Sequence, residues 1–162
     1  MKERALVSAS ADVGDLVELS RLLVSVAYRS LTAADTGSGE PVLLPQFRAM
    51  AVLARYGPCT AGGLADALGQ HGSTVTRLCD KLVAQGWVSR QHRPENRREV
   101  ELDLTDAGRS LVQRVLTARA NELEQILRRM RKADRRALSG LLPRLLEAAD
   151  DTVAHPREAW AV

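Results

Sequence analysis

The sequence predicts a mainly α-helical protein with a small β-hairpin, arranged as a winged helix-turn-helix plus a helical dimerisation region. Three observations predict this fold class. Apolar residues recur at helical spacing over most of the 162 residues. The spacing changes to strict alternation only near residues 87–104, which indicates two strands between helices. Aromatic residues make up 3% of the chain against 45% hydrophobic residues, so the core is built mainly from Leu, Val and Ala.

Two helices are predicted before residue 57. In the first, the apolar stripe consists of Leu16, Leu19, Leu23, Val26, Ala27 and Leu31. Asp12 or Asp15 lies near its start, where a carboxylate favours the helix dipole. The Gly- and Thr-rich segment TAADTGSGEP predicts a loop. Helical spacing then resumes in LLPQFRAMAVLARYG.

A helix-turn-helix is predicted next. The segment PCTAGGLADALG offers Thr60 as an N-cap and Gly69 as a stop, which encloses one short helix. The segment QHGSTVTRLCDKLVAQG is a second, longer helix that ends at Gly86. One face of this second helix should anchor it to the core through Val75, Leu78, Cys79 and Leu82.

The hairpin follows this second helix. In EVELDLT, Val100, Leu102 and Leu104 point to one side and acidic residues to the other, which predicts a two-stranded antiparallel wing with one wet face. Its tip, HRPENRRE, contains three arginines and no apolar residue. The tip is either a plain exposed turn or a contact for a polyanion.

Two more helices complete the chain. Thr105 is the predicted N-cap of a long helix, and the last helix carries leucines from Leu138 to Leu146. We expect a kink or a broken start at Pro143, because proline removes one helix hydrogen bond. The outer helices are more apolar than a small winged domain needs. They either pack on a second copy or form a helical subdomain within a monomer.

The charge distribution points to nucleic acid. The net charge is only +3, but residues 70–98 carry six basic and two acidic side chains, a local excess of +4. In a helix-turn-helix the second helix lies in the major groove, so its exposed face supplies the candidate DNA contacts. These are His71, Ser73, Thr74, Thr76, Arg77 and Lys81. Alternatively, Ser73 and Thr74 cap the helix, and Arg77 pairs with Asp80 at i+3.

The wing supplies a second set of candidate DNA contacts, because a narrow minor groove attracts arginine. They are Arg90, Arg93, Arg97 and Arg98.

The segment from Leu44 to Gly108 resembles the MarR family of bacterial transcriptional regulators. The specific parts are STVTRLCDKL, GWVSR, the wing and LTDAGR, in this order and spacing. The resemblance implies dimerisation elements at residues 1–40 and 106–162, with a winged helix-turn-helix at 41–105 that reads double-stranded DNA. It further implies a homodimer on a near-palindromic site, with Arg98 in the minor groove. Many relatives are repressors released by small, often phenolic or oxidising, ligands.

The chain departs from the family pattern at two places. The wing usually reads Asp-x-Arg, whereas here Asn96 takes the place of the aspartate, which predicts a more mobile or more positive wing. The helix turn usually contains Ser-Pro, whereas here His71 and Gly72 stand in those positions. His71 then lies near a phosphate or is a plain turn residue, and Gly72 makes the start of the helix less rigid than proline would.

The resemblance also implies an effector crevice between the dimer helices and the winged domain. Tyr28, Phe47 and Arg48 are its candidate residues, and their alternative is core or surface filling. Cys59, ahead of a helix, is the candidate for a lowered thiol pKa, although a structural role for it is the simpler interpretation.

The sequence contains few features that support other classes of function. The three histidines are not at metal-ligand spacing, and neither GxxxxGK[ST] nor HExxH is present. We therefore expect no enzymatic activity, no catalytic residue, no metal and no cofactor. No apolar run approaches the roughly 20 residues of a membrane span, so a cytoplasmic protein without a membrane partner is expected. The alternative to a DNA-binding regulator is a winged-helix module for protein–protein interaction.

Overall fold

The computed structural model describes residues 11–34, 41–92 and 100–150. Within these ranges the chain forms six helices and three strands. In chain order they are α1 (Ala11–Thr32), α2 (Leu44–Tyr56), β1 (Cys59–Thr60), α3 (Ala61–Leu68), α4 (Gly72–Ala84), β2 (Val88–His92), β3 (Val100–Leu104), α5 (Asp106–Arg128) and α6 (Lys132–Asp150). The predicted fold class, a mainly α-helical winged helix-turn-helix, is confirmed.

The local signals for helix ends are also confirmed. The hydroxyl oxygen of Thr60 accepts a hydrogen bond from the Gly63 amide at 3.1 Å, and Gly69 ends α3 in the left-handed region, with φ 62° and ψ 38°. Thr105 caps α5 in the same way as Thr60 caps α3. These ends depend on only a few neighbouring residues, so the sequence is sufficient to predict them.

The last helix differs from its prediction. α6 begins at Lys132 and continues through Pro143 to Asp150, so the expected broken start is wrong. Proline costs the helix one hydrogen bond, but leucines flank it on both sides, and leucine is among the residues that favour helix most.

The sheet has one strand more than predicted. β1 pairs antiparallel with β3, so the order is β1-β3-β2, with Cys59 opposite Leu102 and Val88 opposite Leu104. The sequence predicted only a two-stranded wing. A strand of two residues is too short to show alternation, and only its pairing with β3 defines it.

The core of the protomer lies between α2, α3, α4, the sheet and the first half of α5. Leu102 and Leu104 are buried in it, as the alternation of β3 predicted. Val100, at the wing end of the same strand, is 38% exposed. The hydrophobic face of the wing therefore ends before its tip.

A close junction joins α4, the sheet and α5. The carbonyl oxygen of Trp87 accepts a hydrogen bond from the Thr105 amide at 3.0 Å, and the Thr105 hydroxyl donates to the Gly86 carbonyl at 2.6 Å. Gly108 faces the same carbonyl, and a Cβ on it would lie 2.1 Å from the Trp87 oxygen. Only glycine fits this position in the first turn of α5.

Two helices leave large apolar surfaces uncovered by the rest of the described residues. In α1, Val26 and Leu31 are buried, but Leu16 and Leu23 near its start are 45% and 46% exposed. α6 makes at most marginal contact with the other described elements. Its exposed leucines are Leu141, Leu142, Leu145 and Leu146. Within the described ranges, no helix combines the length and apolarity that crossing a membrane requires.

We expect Gly108→Ala to destabilise the fold by roughly 1–3 kcal/mol, since the new methyl group overlaps the Trp87 carbonyl, which is fixed by backbone hydrogen bonds. Gly62→Ala is the matched control, because a Cβ there meets only the Thr60 hydroxyl oxygen, at 3.8 Å. The control should be neutral or stabilise by about 0.5 kcal/mol. Urea unfolding of both variants measures the difference, and equal stabilities would contradict the close junction.

Candidate nucleic-acid interface

The helix predicted to read DNA, α4, is anchored by one buried face. Val75, Cys79 and Leu82 are 0% exposed, and Leu78 is half-buried. This is the anchoring face that the sequence predicted. Because four residues hold one side of the helix in the core, the opposite side is presented to solvent.

The start of α4 has no side-chain cap. His71 occupies the N-cap position, and its carbonyl oxygen accepts hydrogen bonds from the amides of Thr74 at 3.0 Å and Val75 at 3.2 Å. Its imidazole makes no capping hydrogen bond. Ser73 and Thr74 lie inside the helix, beyond the cap position, so the alternative that they cap it is wrong.

The predicted contact residues of α4 share one exposed face. They are Ser73, Thr74, Thr76, Arg77 and Lys81, with His71 exposed just before the helix. Thr76 donates its hydroxyl hydrogen to the Gly72 carbonyl at 2.9 Å. The other four side chains form no hydrogen bond or ion pair with any described residue. The face therefore offers two hydroxyls and two cations that have no partner within the part of the chain that the structure describes.

Arg77 does not pair with Asp80, the alternative that the i+3 spacing allowed. Asp80 pairs instead with Arg90 of β2, whose guanidinium nitrogen lies 2.5 Å from the carboxylate oxygen. Sequence spacing favours a local partner, but the fold supplies a partner ten residues away.

The other three candidate DNA contacts of the wing follow β2 in the sequence. Arg93, Arg97, Arg98 and Asn96 lie in the segment 93–99, outside the described residues. The strands that lead to them are described, with His92 of β2 opposite Val100 of β3. Arg90 thus stands two residues before the predicted wing tip.

A buried glutamine that sequence reasoning missed joins α2 to α4. Gln46 is 5% exposed, and its amide oxygen accepts from the Leu43 backbone N–H at 2.9 Å. Its amide nitrogen donates to Gln85 at the end of α4, also at 2.9 Å. The first bond is a capping pattern, glutamine three residues after the N-cap, that the sequence could have shown. The second bond crosses 39 residues and is a property of the fold.

The three effector candidates differ in exposure. Phe47 is 4% exposed within the core, whereas Tyr28 is 68% exposed and Arg48 is also exposed. The Phe47 ring is covered by Arg119 of α5, whose guanidinium carbon lies 5.2 Å from the ring centroid. Arg119 was not anticipated from the sequence, because its partners lie on other helices.

Arg119 also approaches α1. Its Nε lies 3.5 Å from the hydroxyl oxygen of Ser30, a buried residue that donates to the Ala27 carbonyl at 2.7 Å. Arg119 is only partly exposed, and no described carboxylate pairs with it. It is therefore a cation at the place where α1, α2 and α5 meet.

Both cysteines are buried, and the pKa of each thiol is raised. Burial, reinforced by the nearby Cys79 and Glu101, raises the pKa of the Cys59 thiol to about 12. Burial also raises the pKa of Cys79. The raised pKa agrees with the simpler interpretation of Cys59 as a structural residue and contradicts the alternative of a lowered pKa, because loss of hydration outweighs the nearby helix N-terminus.

The second basic cluster, around residues 128–136, includes two local ion pairs. Arg128 pairs with Glu124 at 2.9 Å, and Arg131 pairs with Asp134 at 2.8 Å. These pairs are exposed and lie at the turn between α5 and α6. Exposed local ion pairs of this kind are typical of a solvated turn.

Comparison with known proteins identifies the family. The model of the MarR family matches residues 43–100. A transcriptional regulator of Mycobacterium leprae, ML2140, is 30% identical over 112 residues, which are 69% of this chain and 78% of that protein. The chain belongs to the MarR family of transcription regulators, which are not enzymes.

Two further similarities add to this assignment. The transcriptional repressor MprA of Escherichia coli K12 is 30% identical over 87 residues, 54% of this chain and 49% of that protein, so the match spans about half of the repressor. The crystal structure of RV1404 from Mycobacterium tuberculosis has a TM-score of 0.77 at 34% identity and covers 89% of this chain and 97% of that one. The fold is thus shared over nearly the whole of a solved structure.

We expect Gly72→Pro to stabilise the protein by about 0.4–1 kcal/mol. Gly72 is the first residue of α4, where proline is favoured, and His71 before it has φ −65° and ψ 138°, a conformation compatible with a following proline. Thermal unfolding measures the gain. Gly69→Pro is the control and should destabilise, because Gly69 has φ 62°. A loss of stability in Gly72→Pro would contradict the assigned start of α4.

Proposed function

We propose that this MarR-family regulator is a repressor whose homodimer binds a near-palindromic DNA site through α4 and the wing. The observation that carries the proposal is the exposed face of α4. Arg77 and Lys81 have no acidic partner among the described residues, and two free hydroxyls lie beside them. Such a face supplies both charge for phosphates and donors for base edges.

The positions of the side chains on α4 suggest that they contact different parts of the DNA. Ser73 and Thr74 lie in the first turn, which in a helix-turn-helix points towards the base edges and the adjacent phosphates. Arg77, one turn further, has the length and the planar donors to bind the two acceptors of guanine. Lys81 and His71, at opposite ends of the face, are suited to phosphates.

The wing arginines extend this proposal to the minor groove. Arg93, Arg97 and Arg98 follow β2 directly in the chain, and β2 packs beside α4. A wing so placed lies next to the groove that flanks the one occupied by α4. Minor-groove contacts there would add affinity for sequences with a narrow groove.

The proposed homodimer would bury the uncovered faces of α1 and α6. Four leucines on α6 and several leucines of α1 are more than a third exposed in the protomer. Burial of a leucine contributes about 1.5–3 kcal/mol, so a second copy that covers these faces would be strongly favoured. A dimer of this kind also places two α4 helices on one DNA molecule, which matches a two-fold symmetric site.

Release by a small ligand is the regulatory part of the proposal. At the place where α1, α2 and α5 meet, Arg119 covers the Phe47 ring. A ligand that displaces Arg119 from this ring would move α5 relative to α2, and α5 connects the winged core to the dimer helices. Repression itself is suggested by the similarity to the repressor MprA.

Fluorescence anisotropy tests DNA binding, with duplexes from upstream of the protein's own gene and scrambled duplexes at two salt concentrations. We expect the parent to prefer the upstream duplex and to bind more weakly at high salt. Arg77→Ala should lose roughly 1–3 kcal/mol of binding free energy and part of the sequence preference. Arg129→Ala, which removes an equally exposed cation between α5 and α6, is the matched control and should bind like the parent.

The outcomes separate the competing functions. Equal binding to both duplexes would contradict a regulator of its own promoter region. Absence of binding at either salt concentration would favour a winged-helix module for protein–protein interaction. The same assay, run on the preferred duplex, screens small molecules for release of the DNA.

The dimer has its own test. Leu145→Glu places a carboxylate on the exposed apolar face of α6 and should convert the dimer to monomers at micromolar concentration. Ser139→Glu, which adds the same charge beside Lys132 and Arg136 on the polar side of α6, should leave the dimer intact. Sedimentation velocity over a range of concentrations measures both variants. A dimeric Leu145→Glu variant would show that α6 is not at the interface.

A further inference from the structure

Asp80 is an acidic residue on the face of α4 that carries the proposed DNA contacts. It lies three residues after Arg77 and four after Thr76, so the three side chains are neighbours on the helix surface. Its side chain is 55% exposed. A free carboxylate there would repel phosphates and oppose the binding that Arg77 and Lys81 favour.

Arg90 cancels this charge from another element. It lies on β2, and its side chain crosses to α4, where its terminal nitrogen lies 2.5 Å from the Asp80 carboxylate. No other cation pairs with Asp80 among the residues that the structure describes. Since this pair is neutral, Arg77 and Lys81 account for the positive charge of the exposed face.

The pair also joins the two parts of the proposed interface. Arg90 stands at the base of the wing, and Asp80 lies in the middle of the recognition helix. A bond between them holds β2 against the exposed side of α4, outside the hydrophobic contacts that hold the other side. An exposed ion pair contributes little to overall stability, so its effect should appear in DNA binding rather than in folding.

We propose that Arg90 is a positioning residue whose effect on DNA binding is to neutralise Asp80, and that it is not itself a DNA contact. This inference rests on the proposed function, because it concerns how the same surface binds DNA. It assigns a role to Arg90 that differs from that of Arg93, Arg97 and Arg98. It also explains why Arg90 matters for DNA binding, since without it the Asp80 carboxylate would repel the phosphates.

A double-mutant cycle tests the proposal, with Arg90→Gln, Asp80→Asn and the combined variant in the full chain. The amide groups keep the size of each side chain and remove its charge. We expect Arg90→Gln to weaken DNA binding by about 10-fold or more, because an unpaired carboxylate then faces the phosphates. Asp80→Asn should bind within about 3-fold of the parent, and the combined variant should return to the affinity of Asp80→Asn.

A direct contact between Arg90 and DNA gives the opposite pattern. Arg90→Gln would then weaken binding by the same factor with either Asp80 or Asn at position 80. The dependence of log K on log salt would also fall by about 0.9 on loss of Arg90 in the Asp80→Asn background, as expected for a lost phosphate contact. Our proposal predicts equal salt slopes for Asp80→Asn and the combined variant. The proposal is overturned if Arg90→Gln weakens binding equally in both backgrounds, or if the two variants differ in the slope of log K against log salt.

Two controls separate this test from failures of folding and of the proposed function. Thermal unfolding should place all variants within a few degrees of the parent, and Arg90→Lys, which keeps the charge, should bind within about 3-fold of the parent. A 10-fold loss in Arg90→Lys would indicate a geometric contact with DNA and contradict the proposal. If the parent itself binds no duplex at low salt, the proposed function and this inference fail together, whereas equal factors in both backgrounds overturn the inference alone.

Discussion

The close packing of the Trp87 carbonyl against Gly108 is the constraint on which the rest of the molecule depends. The carbonyl accepts from Thr105, and the Thr105 hydroxyl donates to Gly86, so the end of α4, both long strands and the start of α5 meet within one set of hydrogen bonds. Every element that would touch DNA is thereby placed relative to α5, the helix that leads out of the winged core. A side chain at position 108 would push these parts away from each other.

The core of the protomer is well packed, whereas its outer helices leave apolar side chains exposed. Val75, Leu82, Leu102 and Leu111 are each at most 1% exposed, as in any well-packed domain. α6 lacks comparable packing, because its four exposed leucines are 40–64% exposed and α6 makes at most marginal contact with the other described elements. In the proposed homodimer, the winged part would be stabilised within one chain, whereas the position of α6 would depend on a second copy. In such an arrangement the dimer helices set the distance between two recognition helices.

Buried and exposed polar groups of the protein differ in their charge. The Cys59 thiol is removed from water, which raises its pKa and keeps it protonated at neutral pH. On the exposed face of α4 the charges remain in water, where Asp80 is paired with Arg90 and Arg77 has no acidic partner among the described residues. Helix α4 thus has one buried face and one exposed, charged face. Gln46, bonded at both ends, holds the end of that helix against α2 without contributing charge.

Much of the fold follows from the sequence alone, because the signals are local. The caps at Thr60 and Thr105, the stop at Gly69 and the buried face of α4 each depend on residues within a few positions, and the structure agrees with them. The exposed face of α4 follows as the complement of its buried face. The family assignment rests on the same local motifs in their order.

Other features were decided only by the tertiary structure. β1 exists because β3 lies beside it, Asp80 pairs with Arg90 and not with Arg77, and Arg119 covers Phe47 from another helix. Burial of Cys59 likewise decided between the two interpretations of this residue, because it raises the thiol pKa. The physical reason is common to all of them. Spacing along the chain determines helix ends and helix faces, whereas long-range pairs and burial depend on which distant segments the packed core brings into contact.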